Sequence, residues 1–269
     1  SGLASSLLLF GTSMRYGETG TTNLALCLEL NERLGTPWLA SSLWILIVTA
    51  LLIKIAASPN HMWAPDLYEG APLVVTAFLA IVPKIALFKI IGVICSFNLP
   101  VLYLVFLSSS ILSVATGAIG AFNQKNLARW LAYGSTGHMG FVIGCLISHD
   151  LAGIAASVIY MIVYKLISTL MFAWILAHLL RISVVGSKTI LCVSLSNIHD
   201  FGQISMSHAN LPAALAFSSG WLALAGMPPW SGFVAKMAVS KRWFTVSKRW
   251  FTDREMGSNH HSHREKVPS

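Results

Sequence analysis

The chain alternates between long apolar stretches and short polar segments over most of its length. About 20 consecutive apolar residues are needed for a helix to cross the hydrocarbon core of a bilayer. Six stretches meet this requirement: 40–58, 73–98, 100–121, 130–148, 151–181 and 211–239. A shorter run at 3–17 is interpreted as the end of a further helix. Since these runs exceed a barrel strand of about ten residues, the pattern predicts a helical membrane bundle.

Proline interrupts this pattern at three places. Because proline lacks an N–H and clashes with the preceding turn, the first full span should stop near Ala57, before Pro59, and leave free carbonyls close to its end. The second span should be interrupted at Pro83, and the last one at GMPPW (226–230). The predicted fold class is therefore all-α: a polytopic membrane helical bundle with proline-broken helices.

The end of the chain differs from the rest. VSKRWFT occurs at 239–245 and again, identically, at 246–252, and the residues that follow are polar and rich in histidine. We divide the chain into a transmembrane domain, 1–239, and a polar, solvent-exposed tail, 240–269. Histidines of the tail could bind a metal adventitiously, but a His-rich tail without a metal is the preferred interpretation.

Composition agrees with a membrane protein. The chain is 55% hydrophobic and 10% charged, whereas a soluble domain has about 25% charged residues. Its net charge of +8 does not indicate a nucleic-acid partner, because eight of the eighteen Lys and Arg lie at or after Lys236 and most others flank apolar runs. The four cysteines are scattered, and the motifs GxxxxGK[ST], GxGxxG and HExxH are absent. We therefore expect no metal, nucleotide or redox site.

Three lysines stand inside apolar stretches or at their broken ends: Lys54, Lys84 and Lys236. A cation within a membrane helix costs about 2.5–3.5 kcal/mol on insertion scales, which favours a role in moving charge or protons. Lys84 is the strongest candidate because it lies about eleven residues into its span, too deep to reach the surface. No acid occurs between Glu69 and Asp150, and desolvation disfavours the charged form of a buried amine.

The other two lysines each have an alternative interpretation. Lys54 lies five residues before Pro59, where it could be hydrated and titrate, or could equally extend to the surface from a helix end. Lys236 follows the break at 226–230, and ionisable residues at discontinuous helices are typical of transporters. The alternative for Lys236 is a lysine at the end of the last span.

His138 and Lys165 are the remaining candidates. His138 stands in GSTGHMGF, among small residues that permit close helix packing. It could relay protons, since histidine titrates near neutrality, or be a packed, hydrogen-bonded side chain. Lys165 is a further cation in the middle of a span, where Tyr160, Tyr164 and Ser168 could form a polar face with it.

Three segments resemble motifs of one family. KIAASPNHMWAPDLYEGAPLVVTAFLAIVPKIAL, NLARWLAYGSTGHMGFV and LALAGMPPWSGFVAKM resemble, in order and spacing, stretches of the antiporter-like subunit 2 family of respiratory complex I (NADH dehydrogenase). The resemblance covers nearly all of residues 1–240. By motif position, Lys54 matches the channel lysine on the seventh family helix and Lys84 the central lysine on the eighth. His138 matches the histidine on the tenth, and Lys236 the lysine on the broken twelfth. Lys165 has no assigned counterpart and remains a candidate relay residue.

This resemblance implies a proton-translocating membrane subunit of NADH:ubiquinone oxidoreductase, multi-pass in the mitochondrial inner membrane. Its partners would be the other membrane subunits of complex I, including neighbouring antiporter-like ones. NADH, FMN, iron–sulfur clusters and ubiquinone would be bound by other subunits, and this chain would hold no cofactor or metal.

One departure from the family pattern leaves alternatives open. The channel glutamate that pairs with the lysine at position 54 would lie on a helix upstream of Ser1. Either a separate polypeptide supplies the N-terminal helices, or the subunit is truncated. Two rival functions follow: a free-standing cation/proton antiporter subunit, and a structural scaffold that no longer pumps.

Overall fold

The computed structural model describes residues 2–23, 26–27, 37–95, 100–122, 124–148, 150–185, 211–228 and 231–245. The long regular elements of these ranges are all helices, as the sequence predicted. They are α1 Gly2–Thr19, α2 Pro37–Ile55, α3 Trp63–Gly70, α4 Leu73–Cys95, α5 Pro100–Phe122, α6 Leu127–Leu146, α7 Leu151–Val185 and α8 Leu211–Ala225, followed by α9 at 231–245.

Three helices of the described ranges are long and apolar enough to cross a membrane: Leu73–Cys95, Leu102–Phe122 and Leu151–Ala177. The apolar part of α2, Ser42–Ile55, is shorter. The outward faces of these helices carry large apolar side chains, such as Phe78, Leu104 and Leu170, as expected where a helix faces lipid. The three spans are among the six that the sequence predicts, and the other three remain predictions.

Helix α2 ends where Pro59 required, but its terminal carbonyls are not free. Ala56 has a φ of +64°, and the N–H groups of Ala57 and Ala56 donate to the carbonyls of Leu52 (3.0 Å) and Ile53 (3.1 Å). This is the Schellman arrangement, in which a left-handed residue closes the last turn.

The indole of Trp63, at the start of α3, also donates to the carbonyl of Ile53, at 2.8 Å. The prediction that the helix stops near Ala57 is therefore confirmed. The prediction of free carbonyls close to Lys54 is wrong for these two groups, because the turn and Trp63 occupy them.

A second helix is broken in the same way. Helix α8 stops before Gly226, whose φ is +75°, and the N–H groups of Met227 and Gly226 donate to the carbonyls of Leu222 (3.1 Å) and Ala223 (3.2 Å). The chain resumes as α9 at residue 231. The predicted break at GMPPW is confirmed, and within the described ranges two helices are discontinuous, α2–α3 and α8–α9.

Pro83 does not interrupt its helix. Helix α4 runs without a break from Leu73 to Cys95 and contains Pro83 in its interior. Proline is tolerated in membrane helices when neighbouring groups satisfy the backbone that it disturbs. Lys165 of α7 contacts α4 in this turn, where its amine donates to the carbonyl of Ala80, three residues before the proline.

The first copy of the repeated heptapeptide is part of the bundle. Residues 239–245 form the last two turns of α9, with Val239 fully buried and the Trp243 ring 6.0 Å from that of Phe141. Two residues four apart lie on the same side of a helix, so both face α6. The predicted boundary at 239/240 thus falls inside a helix, in which Lys241, Phe244 and Thr245 are exposed. The division into a domain and a tail remains a prediction. The second copy and the rest of the tail lie outside the described residues.

Candidate functional site

Lys84 lies in the interior of the bundle. Its side chain is 2% exposed, and its amine donates to the hydroxyl of Ser135 on α6 at 2.9 Å. The Ser135 hydroxyl in turn donates to the carbonyl of Ala132 at 2.9 Å. The ring of Tyr68 lies 6.0 Å from the Lys84 amine, at the outer limit of a cation–π contact. Among the described residues, no carboxylate forms an ion pair with Lys84.

Lys165, on α7, contacts the side of α4 that carries Lys84. Its amine donates to the carbonyl of Ala80 at 2.7 Å and lies 4.9 Å from the centre of the Tyr164 ring. Ala80 and Lys84 are four residues apart and therefore share one side of α4. Two buried amines, one from α4 and one from α7, therefore lie on the same side of α4.

His138, on α6, contacts two tyrosines of α7. Its Nδ1 lies 2.7 Å from the hydroxyl of Tyr160, and its ring stacks on Tyr164 with centroids 4.5 Å apart. Either member of the Nδ1–hydroxyl pair can be the donor, depending on the imidazole tautomer. Both sequence interpretations of His138 fit this geometry, because the residue is packed and also bonded to a group that exchanges protons.

Two cavities meet at His138. The first has about 460 Å³ of atom-free space, counting its open side, and Tyr68, Ser135 and Tyr164 form part of its wall. The second has about 220 Å³ on the same measure and is lined by Tyr160 and Lys236, among others. His138 lines both cavities. His138 therefore shares one cavity with Ser135, which accepts from Lys84, and the other cavity with Lys236.

Lys236 is held by the break in the second discontinuous helix. Its amine donates to the carbonyls of Leu224 (3.0 Å) and Ala225 (2.8 Å), which the Schellman turn leaves unpaired. The C-terminus of a helix carries a partial negative charge, so it stabilises a cation at this point. The break thus provides a half-buried cation site next to the second cavity.

Lys54 is not part of this group. It is half-buried near the end of α2. Like Lys84 and Lys165 it lines neither cavity, but those two amines donate to the lining residues Ser135 and Ala80. Within the described ranges it has no hydrogen-bond or ion-pair partner. The structure therefore brings together four of the five predicted residues, Lys84, Lys165, His138 and Lys236, and leaves Lys54 apart.

The position of α3 is set by an ion-pair network at its end. Glu69 accepts from Arg129 Nε and, at 2.7 Å, from the amide of Asn126. Arg129 also lies 3.4 Å from the more exposed Asp66. Because Tyr68 precedes Glu69, this network fixes the Tyr68 side chain against the first cavity.

Sequence reasoning missed Tyr68 and Ser135 as site residues. Ser135 could have been found from its motif, since it stands three residues before His138 and therefore on the same face of α6. Tyr68 carried no such signal, because its helix reaches the cavity only through the break at 56–62.

The comparison with known proteins agrees with this architecture. Residues 1–253 match a family described as NADH:quinone oxidoreductase/Mrp antiporter, TM. NADH-ubiquinone oxidoreductase chain 2 of Metridium senile is 38% identical over 243 residues, covering 87% of this chain and 57% of that protein. NADH-quinone oxidoreductase subunit N of Wolbachia sp. subsp. Brugia malayi is 34% identical over 254 residues, covering 90% of this chain and 50% of that protein. The chain thus spans about half the length of these relatives.

Solved structures share the fold. A chain of respiratory complex I from Thermus thermophilus is 26% identical with a TM-score of 0.58, covering 90% of this chain and 50% of that one. A chain of the archaeal membrane-bound sulfane sulfur reductase superimposes with a TM-score of 0.73 at 24% identity, covering 90% of this chain and 48% of that one. The family match extends over nearly the whole sequence, and both curated relatives are NADH oxidoreductase chains more than 30% identical to it: the chain belongs to the NADH:quinone oxidoreductase/Mrp antiporter transmembrane family.

Proposed function

We propose that the chain is a membrane subunit of respiratory complex I that translocates protons through a lysine–histidine relay with water, driven by NADH:ubiquinone electron transfer. The observation that carries this proposal is that His138 lines two cavities. One cavity is lined by Ser135, which accepts from Lys84, and the other by Lys236. Protons would pass from Lys84 to His138 and on to Lys236.

Repulsion between the amines of Lys84 and Lys165 supports the proposed movement of protons. Lys84 and Lys165 approach the same side of α4, and no carboxylate of the described residues pairs with either amine. A like charge disfavours the protonated form of a neighbour, and burial strengthens the repulsion. The two positive charges therefore repel each other, which favours moving one of them away from this side of α4.

Lys54 would receive the proton at the entrance. We infer that a carboxylate outside the described residues approaches and leaves its amine. An opposite charge favours the protonated lysine, and its removal favours release. NADH, FMN, iron–sulfur clusters and ubiquinone would then belong to other subunits of the oxidoreductase. The mitochondrial inner membrane is the proposed location, because the Metridium senile relative is a NADH-ubiquinone oxidoreductase chain.

Lys84→Met in the intact assembly tests the relay. Methionine preserves an unbranched chain of similar length but cannot carry a proton. Lys89→Met is the matched control, because Lys89 is on the same helix but exposed. We expect Lys84→Met to abolish proton translocation per electron without loss of assembly, and Lys89→Met to pump normally. A normal proton-to-electron ratio in Lys84→Met would refute the relay.

A free-standing cation/proton antiporter is the second candidate. It is favoured by the fold shared with a chain of the Mrp complex from Dietzia sp. DQ12-45-1b, with a TM-score of 0.72 at 21% identity over 91% of this chain and 44% of that one. Purification in mild detergent separates the two proposals. Co-migration with NADH:quinone activity supports the complex I subunit, whereas cation/proton exchange without that activity supports the antiporter. If the purified assembly moves no ion through this chain, it serves as a scaffold.

A further inference from the structure

Tyr68 places a buried hydroxyl on the wall of the first cavity. Its side chain is 2% exposed, and the hydroxyl has no hydrogen-bond partner among the described residues. The residue lines the same cavity as Ser135 and His138. Leaving a buried hydroxyl without a partner costs about 1–3 kcal/mol. A water molecule in the cavity would remove this cost.

The polar groups of the cavity suit bound water. A purely apolar cavity stays dry, whereas a buried water needs two to four polar partners. Tyr68, Ser135, His138 and Ser168 contribute polar side chains to a wall that is otherwise mostly apolar. These groups come from α3, α6 and α7, so they surround the space from different sides.

We propose that Tyr68 is a proton-transfer residue whose hydroxyl connects the Lys84 side of this cavity to His138 through ordered water. This inference rests on the proposed function. A proton released by the Lys84 ammonium protonates a water, and the Tyr68 oxygen accepts a proton from that side. The original hydroxyl proton leaves to the water that faces His138. The phenol is regenerated, and no net charge remains on it.

The surroundings of Tyr68 support this role. Its ring lies 6.0 Å from the Lys84 amine, while the neighbouring Glu69 is bonded to Arg129 and Asn126. The network fixes the backbone next to the tyrosine, and the hydroxyl itself remains free to exchange partners. Tyr160 differs, because its hydroxyl is already bonded to His138.

The test uses Tyr68→Phe in the complete respiratory assembly, reconstituted into vesicles. Phenylalanine keeps the ring beside Lys84 and removes only the hydroxyl. Tyr103→Phe is the matched control, because Tyr103 lies on α5 and lines neither cavity. We expect a several-fold loss of protons translocated per electron for Tyr68→Phe and no loss for Tyr103→Phe, with equal electron transfer and assembly.

A second measurement needs no variant. X-ray radiolysis generates hydroxyl radicals from bound water, so it labels buried side chains that adjoin such water. We expect Tyr68 to be labelled faster than its 2% exposure implies, and normalised to exposure faster than Tyr103. An unlabelled Tyr68 would overturn the water site.

The results separate this inference from the proposed function. Normal pumping by Tyr68→Phe, together with loss of pumping by Lys84→Met, would overturn the inference and leave the relay intact. Normal pumping by Lys84→Met would refute the relay, and with it the transfer role of Tyr68. Loss of pumping in both variants with a labelled Tyr68 supports the inference.

Discussion

The amine of Lys165 donates a 2.7 Å hydrogen bond to the carbonyl of Ala80, in the turn of α4 that ends at Pro83. Proline removes one backbone bond from this turn and opens it. The contact therefore ties α7 to α4 in the turn that contains the proline. It also holds Lys165 on the side of α4 that carries Lys84.

Lys165→Met should separate a structural from a functional role. A hydrogen bond from a charged group contributes about 1.5–3 kcal/mol, whereas burying a charge costs several kcal/mol. We therefore expect the methionine variant to be at least as stable as the wild type and to pump fewer protons. Thermal unfolding of the purified assembly and proton translocation in vesicles measure the two effects.

Lys241→Met is the control for this variant, because Lys241 is exposed near the end of α9. It should change neither quantity. A large loss of thermal stability in Lys165→Met, with normal pumping, would assign this lysine to the support of α4.

Much of the fold follows from local signals, but the site depends on contacts between distant segments. The breaks near Ala57 and Gly226 were predictable, since proline and glycine act on their own neighbourhood. The continuity of α4 through Pro83 was not, because a membrane helix tolerates proline where packed neighbours allow it, and Lys165, which contacts this turn, is 82 positions later in the chain. The occupation of the Ile53 carbonyl, next to Lys54, was likewise not predictable, since Trp63 bonds to it and the position of Trp63 depends on how the chain turns after the break.

The candidate site shows the same division. The depth of an isolated lysine in an apolar run identified Lys84, because the cost of burying a cation is a property of one position. Tyr68 had no comparable signal. Tyrosine is compatible with both surface and interior, and only the folded chain places its hydroxyl beside the cavity.

Glu69→Gln should weaken the attachment of α3. The change removes the charge pair with Arg129, whereas the glutamine can still bond to Asn126. We expect a loss of about 1 kcal/mol in stability, the upper range for a partly exposed pair. Pumping should also fall, because Tyr68 adjoins the lost contact. Thermal unfolding and vesicle assays measure both.

Asp66→Asn is the matched control for Glu69→Gln. The Asp66 side chain is 76% exposed, and its contact with Arg129 is 3.4 Å, so its removal should have little effect. If Asp66→Asn impaired pumping as much as Glu69→Gln, the surface charge of α3, and not its attachment, would be the important property.

Gly226→Ala should disturb the cation site of the second break. Gly226 has a φ of +75°, and an added Cβ would lie 2.6 Å from the Cδ of Lys236. The left-handed conformation costs an alanine about 1–2 kcal/mol. The contact would also displace the amine from the carbonyls of Leu224 and Ala225. We expect lower thermal stability and reduced proton translocation.

Ala56→Gly, at the first break, is the control for Gly226→Ala. Ala56 already adopts a φ of +64°, so Ala56→Gly relieves strain while it removes a buried methyl group. The two effects oppose each other, each at about 1 kcal/mol. We expect Ala56→Gly to be close to neutral. If Gly226→Ala were also neutral, the added methyl group would neither strain the backbone at this break nor displace the Lys236 amine.

Alanine substitutions at Gly117 and Gly137, where α5 crosses α6, should have different effects on stability. A Cβ added at Gly117 would lie 2.6 Å from the backbone nitrogen of Gly137, and a helix backbone cannot move aside as a flexible side chain can. A Cβ added at Gly137 would instead meet Gly117 at 3.7 Å, an ordinary contact. We expect Gly117→Ala to destabilise the subunit by about 1–3 kcal/mol, since the clash outweighs the roughly 1 kcal/mol that alanine gains in a helix. Gly137→Ala should be neutral or slightly stabilising.

The same two variants test whether packing at this crossing affects proton transfer. Gly137 precedes His138, so separation of α5 and α6 at this crossing shifts the imidazole relative to Tyr160 and Tyr164. Gly117→Ala should therefore reduce proton translocation although Gly117 lines neither cavity, while Gly137→Ala should pump normally. Thermal unfolding and vesicle pumping of the two variants measure this. Equal behaviour of the two would mean that the helices adjust freely at the crossing, and that the position of His138 is set by α7 alone.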